Sequence, residues 1–141
     1  MRGFLLDTNC VSELVRIRPH PRVTKWIEST DEALLYLSVL TLGEIHKGVA
    51  RLPPGKRRAS LETWLAVELR ARFSGRLLPV DEEIALRWGL LASLASGKGK
   101  PLAVIDGLLA ATALQSDLTL VTRNIGDFVV TQVPVLNPWE S

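Results

Sequence analysis

Asp7, Glu44, Asp106, Asn124 and Asp127 are the side chains in this sequence whose types and positions point to shared chemistry. Asp7 closes the apolar run Phe4–Leu6, and Glu44 follows the apolar stretch Leu34–Val39. Asn124 and Asp127 come just after Leu118–Thr122, and Asp106 is the lone charge in "LAVIDGLLAATAL". An unpaired ionised carboxylate in such a setting costs several kcal/mol, so Asp106 demands a cation, hydrogen-bond donors or a raised pKa. Helical spacing puts it on a face with Leu102, Leu109, Ala110 and Ala113. Carboxylates crowded into one region repel unless a divalent cation neutralises them. Oxygen donors with no thiolate pair select Mg²⁺ or Mn²⁺ over zinc. The chemistry of such an ion is activation of a water for attack on phosphorus and stabilisation of the departing oxygen.

Each acid also has a plain structural reading. Asp7, with Thr8 and Asn9, is a plausible helix cap. Thr41 and Glu44 have the spacing of a capping box, with Glu44 in the first turn of its helix. Asp127 alone reads as a surface loop acid. Cys10 falls in a buried helical pattern and reads as core rather than nucleophile. His20 sits between prolines, and His46, two positions from Glu44, faces away from it.

The elements that would position these groups follow from periodicity. "GFLLD" reads as a buried strand, followed by a helix with Val11, Leu14, Val15 and Ile17 on one stripe. "RPHPR" stops that helix, and a short one follows around Val23–Glu28. Leu34–Val39 is a second strand, and a helix with Ile45, Val49 and Leu52 comes next. An amphipathic helix is expected over Ala59–Phe73, then a strand over Arg76–Val80. Asp81 caps a helix to about Ala95, and "SGKGKP" is a turn. Leu102–Gln115 reads as a helix apolar nearly all round, hence buried. Leu118–Thr122 is a fourth strand and Val133–Leu136 a short fifth. Apolar strands alternating with helices predict an α/β fold, one domain over 1–141, with a parallel sheet of four to five strands covered on both faces. In such sheets functional groups gather outside the carboxyl ends of the strands, which is where these acids fall.

Composition narrows the class. The chain has 141 residues, enough for a real core, and 47% are hydrophobic. One cysteine excludes an internal disulfide framework or a multi-cysteine zinc site, which suits a cytoplasmic location. No apolar run is long enough to span a bilayer, and no secretory signal is expected. Net charge is +2, and Lys56–Arg58, Arg70–Arg76 and Lys98–Lys100 form basic clusters that could meet phosphates.

The motifs "LLDTNCVSEL", "LSVLTLGEIHKGV", "LAVIDGLLAATAL" and "TLVTRNIGDF" occur in the order typical of PIN-domain ribonucleases, and the chain resembles the VapC/FitB-type toxins of type II toxin–antitoxin systems. The resemblance runs from Leu5 to the terminal "VLNPW". It implies a PIN-like three-layer α/β/α fold and a Mg²⁺- or Mn²⁺-dependent endoribonuclease. The implied partners are RNA, a VapB-type antitoxin and a second copy in a homodimer. Metal ligands would be Asp7 and Asp106 with Glu44 as a third. Asp127 would be a fourth catalytic acid in place of the aspartate that many relatives carry where this chain has Asn124. Thr8, Asn9, Thr122 and Asn124 would position substrate or water. An antitoxin would lay an amphipathic helix in an apolar groove near the early helices, with Trp26, Trp64 and Trp88 as candidate lining. A haloacid-dehalogenase-type phosphotransferase would need an acid at position 9, where this chain has Asn9. A receiver domain would need paired early acids and a late strand-end lysine, neither of which is evident. The remaining alternative is a non-catalytic α/β binding module whose acids are caps.

Overall fold

The computed structural model describes residues 2–140. Strand β1 (Phe4–Leu6) occupies the middle of a five-stranded sheet of order β3-β2-β1-β4-β5, with every pairing parallel. Its neighbours are β2 (Leu35–Ser38) and β4 (Thr119–Val121), flanked by β3 (Leu77–Leu78) and β5 (Val135–Leu136). Phe4 stands opposite Leu35 on one side and Thr119 on the other. A central strand is buried on both faces, and alternation sends Phe4 and Leu6 to one core and Leu5 to the other.

The first core lies under α1 (Thr8–Glu13), α2 (Pro21–Ser29), α3 (Val39–Ala50) and the helical run that begins with α4 (Lys56–Thr63). It packs Val11, Val23, Ile45, Leu69 and Phe73 on the sheet, and Trp26 meets Phe4 edge-on at 5.1 Å. The second core packs Leu109, Ala110 and Ala113 of α7 (Val104–Ser116) with Leu120 and Phe128. Outside α7 runs α6 (Glu82–Gly97), which approaches closely because Gly107 lacks a side chain. A Cβ there would stand 2.7 Å from the Trp88 ring. The result is the three-layer α/β arrangement expected from the sequence. Among the described residues no helix is long and apolar enough to cross a membrane.

Several local expectations need correction. α1 ends at Glu13, so Ile17 is 87% exposed rather than on a buried stripe. Glu13 instead accepts the His20 N–H at 2.9 Å and pairs with Arg16, fixing the turn toward α2. α3 starts earlier than the Thr41–Glu44 spacing suggested. Ser38 ends β2 and caps the helix by accepting the Leu40 N–H at 3.0 Å, so Thr41 is buried and Glu44 lies in the second turn. The helix expected over Ala59–Phe73 passes from α4 through a π-helical stretch, Trp64–Leu69, into α5 (Arg70–Arg72). α7 begins at Val104, not Leu102, and its first turn is not buried: Val104 is exposed and Asp106 half-buried. Asp81 does cap α6, accepting the Ile84 N–H at 2.9 Å.

Candidate active site

The chain leaves β1 toward β2 on one side and reaches β4 on the other only after α6 and α7. The direction of winding therefore reverses between the carboxyl ends of β1 and β4, the place where open parallel sheets form a crevice. Asp7 stands at that point. Its N–H continues the ladder to the Val121 carbonyl at 2.9 Å, and its extended backbone makes it the N-cap of α1. One carboxylate oxygen accepts from the Thr8 N–H at 2.7 Å, and the other from the Thr122 hydroxyl at 2.8 Å. The structural and functional readings of Asp7 are thus compatible.

Around Asp7 the neighbours are fixed through short polar links. Thr8 Oγ1 donates to Glu44 Oε1 at 2.6 Å, tying α1 to α3. Thr122 is fully buried, and its oxygen accepts the Asn124 N–H at 3.1 Å and Asn9 Nδ2 at 3.5 Å. Asn9 Oδ1 is buried without a partner. Asp127 lies in the first turn of the short 3₁₀ helix Ile125–Thr131 that follows β4. It shares an open cleft of about 860 Å³ with Asp106.

The charges sense one another. Burial pushes the Asp7 carboxyl above the ordinary range, and the charges of Glu44 and Asp127 add to the rise against the pull of Thr122 and Thr8. Asp106 is pushed up to about 6, first by burial and then by the charges of Asp7, Asp127 and Glu44. Its place in the first turn of α7, where the helix dipole favours an anion, offsets only part of that cost. The charges of Asp7, Glu44, Asp106 and Asp127 therefore reach one another from four separate elements, with Asp106 and Asp127 lining one cleft and Glu44 a neighbouring one.

The donors are oxygens, as a hard cation requires. Cys10 is no alternative ligand, because burial and the charges of Asp7 and Glu13 push its thiol up to about 12. His46 lines a separate groove with Leu42 and Leu65, away from Glu44. Among the described residues no three His, Cys, Asp or Glu side chains are gathered tightly enough to enclose an ion by themselves. The free oxygen of Asn9 is one hydrogen bond removed from the Thr122 hydroxyl that holds Asp7.

A model of the PIN domain matches residues 4–130. The chain belongs to the PIN-domain family. Within it, the chain is 42% identical over 136 residues to Toxin FitB of Neisseria gonorrhoeae, covering 96% of this chain and 98% of that protein. It is 35% identical over 137 residues to VapC ribonuclease Y4jK of Sinorhizobium fredii, covering 97% and 98%. The solved structure of FitAB bound to an IR36 DNA fragment superposes with a TM-score of 0.92 at 40% identity, covering 98% of this chain and 96% of that one. This PIN domain thus falls with the VapC/FitB-type toxins, as the four motifs indicated.

Sequence reasoning missed the rest of the cleft wall. Gln132, in a left-handed backbone conformation at φ 60°, and Val129 and Val130 face the same space as Asp106. Their only signal was proximity to "RNIGDF". The tryptophans do not line the apolar groove between α3 and the Trp64–Leu69 stretch. Trp26 and Trp64 pack on the first core and Trp88 on Gly107.

The raised carboxyls have a consequence for stability. Between pH ~4 and ~6 the folded protein binds more protons at Asp106 than the unfolded chain does, so stability falls as pH rises through that window. Asp7 acts in the same direction. In EDTA, denaturant midpoints measured from pH 5 to 7, above the range in which the lowered carboxyls of Glu13 and Glu32 act in the opposite direction, should fall in the wild type. They should fall less in Asp106→Asn, and equal slopes would contradict a raised Asp106 carboxyl.

Proposed function

We propose that this PIN domain is a cytoplasmic Mg²⁺- or Mn²⁺-dependent endoribonuclease, the toxin of a toxin–antitoxin pair, which hydrolyses RNA phosphodiester bonds. The observation that carries the reading is the position of Asp7 at the β1 carboxyl end, bonded through Thr8 to Glu44, with Asp106 and Asp127 sharing the cleft beside it and the charges of Asp7, Glu44 and Asp127 all raising Asp106. The name of the Sinorhizobium fredii relative, a VapC ribonuclease, supports the substrate class.

Asp7 and Asp106 would hold the cation, with Glu44 as a third ligand and Asp127 as a fourth acid reaching it directly or through water. The bound ion supplies neutralisation of the scissile phosphate and a water of lowered pKa. The protein's own residues do the positioning. Thr122 and the Thr8 N–H orient the two oxygens of Asp7, and the Thr8 hydroxyl orients Glu44. Asn9, whose side chain bonds Thr122, and Asn124, whose backbone N–H does, would orient the attacking water or the phosphate. In the hydrolysis, water oxygen bonds to phosphorus as the bond to the 3′ oxygen breaks. The water's proton passes to a carboxylate, and the leaving oxygen takes one from solvent.

The alternative, a non-catalytic module whose acids are caps, explains Asp7 alone. Glu44 lies in the second turn of α3 and Asp106 inside the first turn of α7, and neither is a cap. As partners, we propose an antitoxin helix in the groove of Leu42, Val49, Leu65 and Ala66, and a homodimer. Absence of a small DNA-binding partner gene beside this one would count against the antitoxin. Leu86, Leu90 and Leu94 form an exposed stripe on α6, at spacing that lets two copies pair antiparallel about Leu90. Leu90→Glu should convert a dimer to a monomer in sedimentation, and an unchanged mass would rule that face out.

Cleavage of structured and unstructured RNA tests the central reading. Wild type should cut with Mg²⁺ or Mn²⁺ and stop in EDTA. Asp7→Asn should lose about a hundredfold or more, since the several kcal/mol a metal supplies converts at about 1.4 kcal/mol per tenfold. Cleavage unchanged by both chelation and substitution would exclude a metal-dependent nuclease.

A further inference from the structure

The basic clusters seen in the sequence have different fates in the fold. Arg57 donates to the Val15 carbonyl, and Arg58 donates to that of Leu52 and lies near Glu62. Arg72 and Arg76 both bond Glu32 and lie over the Phe73 ring. Lys56 and Arg70 are exposed and have no carboxylate partner among the described residues, and Arg70 lines the separate groove beside α3; Lys98 and Lys100 differ in where they lie. Both are exposed, and neither has a carboxylate partner among the described residues. Both line the cleft that holds Asp106 and Asp127.

Their turn is closed by backbone hydrogen bonds. Lys98 N–H bonds the Leu94 and Ala95 carbonyls at 3.2 Å, and Lys100 N–H reaches back to Ala95 at 2.9 Å around Gly99 at φ +70°. This closure of the α6 C-terminus needs a left-handed residue, which glycine adopts without a steric cost. This closure holds the two lysines side by side at the mouth of the cleft. Between lysines and acids the wall is formed by Pro101, Leu102 and Val130, and no lining side chain is aromatic. A base finds no ring to stack on, so recognition along this wall falls to the sugar–phosphate backbone. A cleft with acids alone would repel a nucleic acid, whereas paired cations at a distance from them attract one.

We propose that this cleft is the path of a single RNA strand leaving the acid cluster, with Lys98 and Lys100 neutralising the phosphates next to the scissile one. The inference rests on the nuclease reading and adds a sequence-independent grip outside the reacting atoms. It makes the two lysines substrate-positioning residues that set affinity and register.

The test is binding of a labelled single-stranded RNA in an Asp7→Asn background, at fixed Mg²⁺ and varied KCl, beside steady-state cleavage in the otherwise native chain. Replacing both lysines by Ala should weaken binding and reduce the slope of log affinity against log salt by about 1.4, at about 0.7 per phosphate. In cleavage, KM should rise while kcat changes little, and Lys98→Arg with Lys100→Arg should restore both. Unchanged affinity and slope in the alanine variant would overturn the inference, even with cleavage still abolished by Asp7→Asn. RNA binding that depends on the lysines without any wild-type cleavage would instead retain the track and reject the nuclease. Thermal midpoints of the variants, expected to match wild type at these exposed positions, guard against loss of fold.

Discussion

Burial of Asp7 at the carboxyl end of β1, within reach of other carboxylates, is the constraint on which the rest of the site depends. Asp7 is 7% exposed, and both of its oxygens are already engaged by Thr8 and Thr122. Those two donors favour the charged form, yet burial and the facing acids still push its pKa up. A hydrogen bond contributes about a kcal/mol or so, whereas burying an ionised group costs several. Local donors alone therefore do not settle the charge. The cation proposed above would settle it, shared between α1, α3, α7 and the 3₁₀ helix after β4.

The fold makes that convergence unavoidable. Parallel pairing puts the carboxyl ends of all strands on one edge, and reversal of winding between β1 and β4 opens the crevice there. Ser38 caps α3 one turn ahead of the position the Thr41–Glu44 spacing suggested. That shift moves Glu44 off the helix end and into reach of Thr8. Gly107 lets Trp88 press α6 onto α7 immediately beside Asp106, so the helix carrying the acid is held from behind. The Lys98–Lys100 turn that ends α6 is thereby brought to the same cleft.

Much of this could be read from residue types. The strands β1, β2 and β4, the Asp81 cap and the isolation of Asp106 in an apolar helix were all visible in periodicity and composition. The errors have specific physical origins. Two hydroxyl residues, Ser38 and Thr41, both satisfied a helix-start pattern, and the end of β2 decided between them. The stripe through Ile17 was extended too far because a polar network of Glu13, Arg16 and the His20 backbone outcompeted another helical turn. The π-helical stretch at Trp64–Leu69 leaves no trace in spacing. The links from Thr8 to Glu44 and from Thr122 to Asp7 span 36 and 115 residues, and no local pattern encodes them.

The most direct measurement is the thermal midpoint of the protein at neutral pH as Mn²⁺ is added to chelator-treated samples. An ion that binds only the folded state stabilises it by about 2.7 kcal/mol at a hundredfold excess over its dissociation constant. The wild-type midpoint should climb with Mn²⁺, while Asp106→Asn should start at or above the wild-type value, and both it and Asp7→Asn should climb little. A wild type indifferent to the ion, or variants that respond as fully as it does, would contradict a shared cation site between these acids.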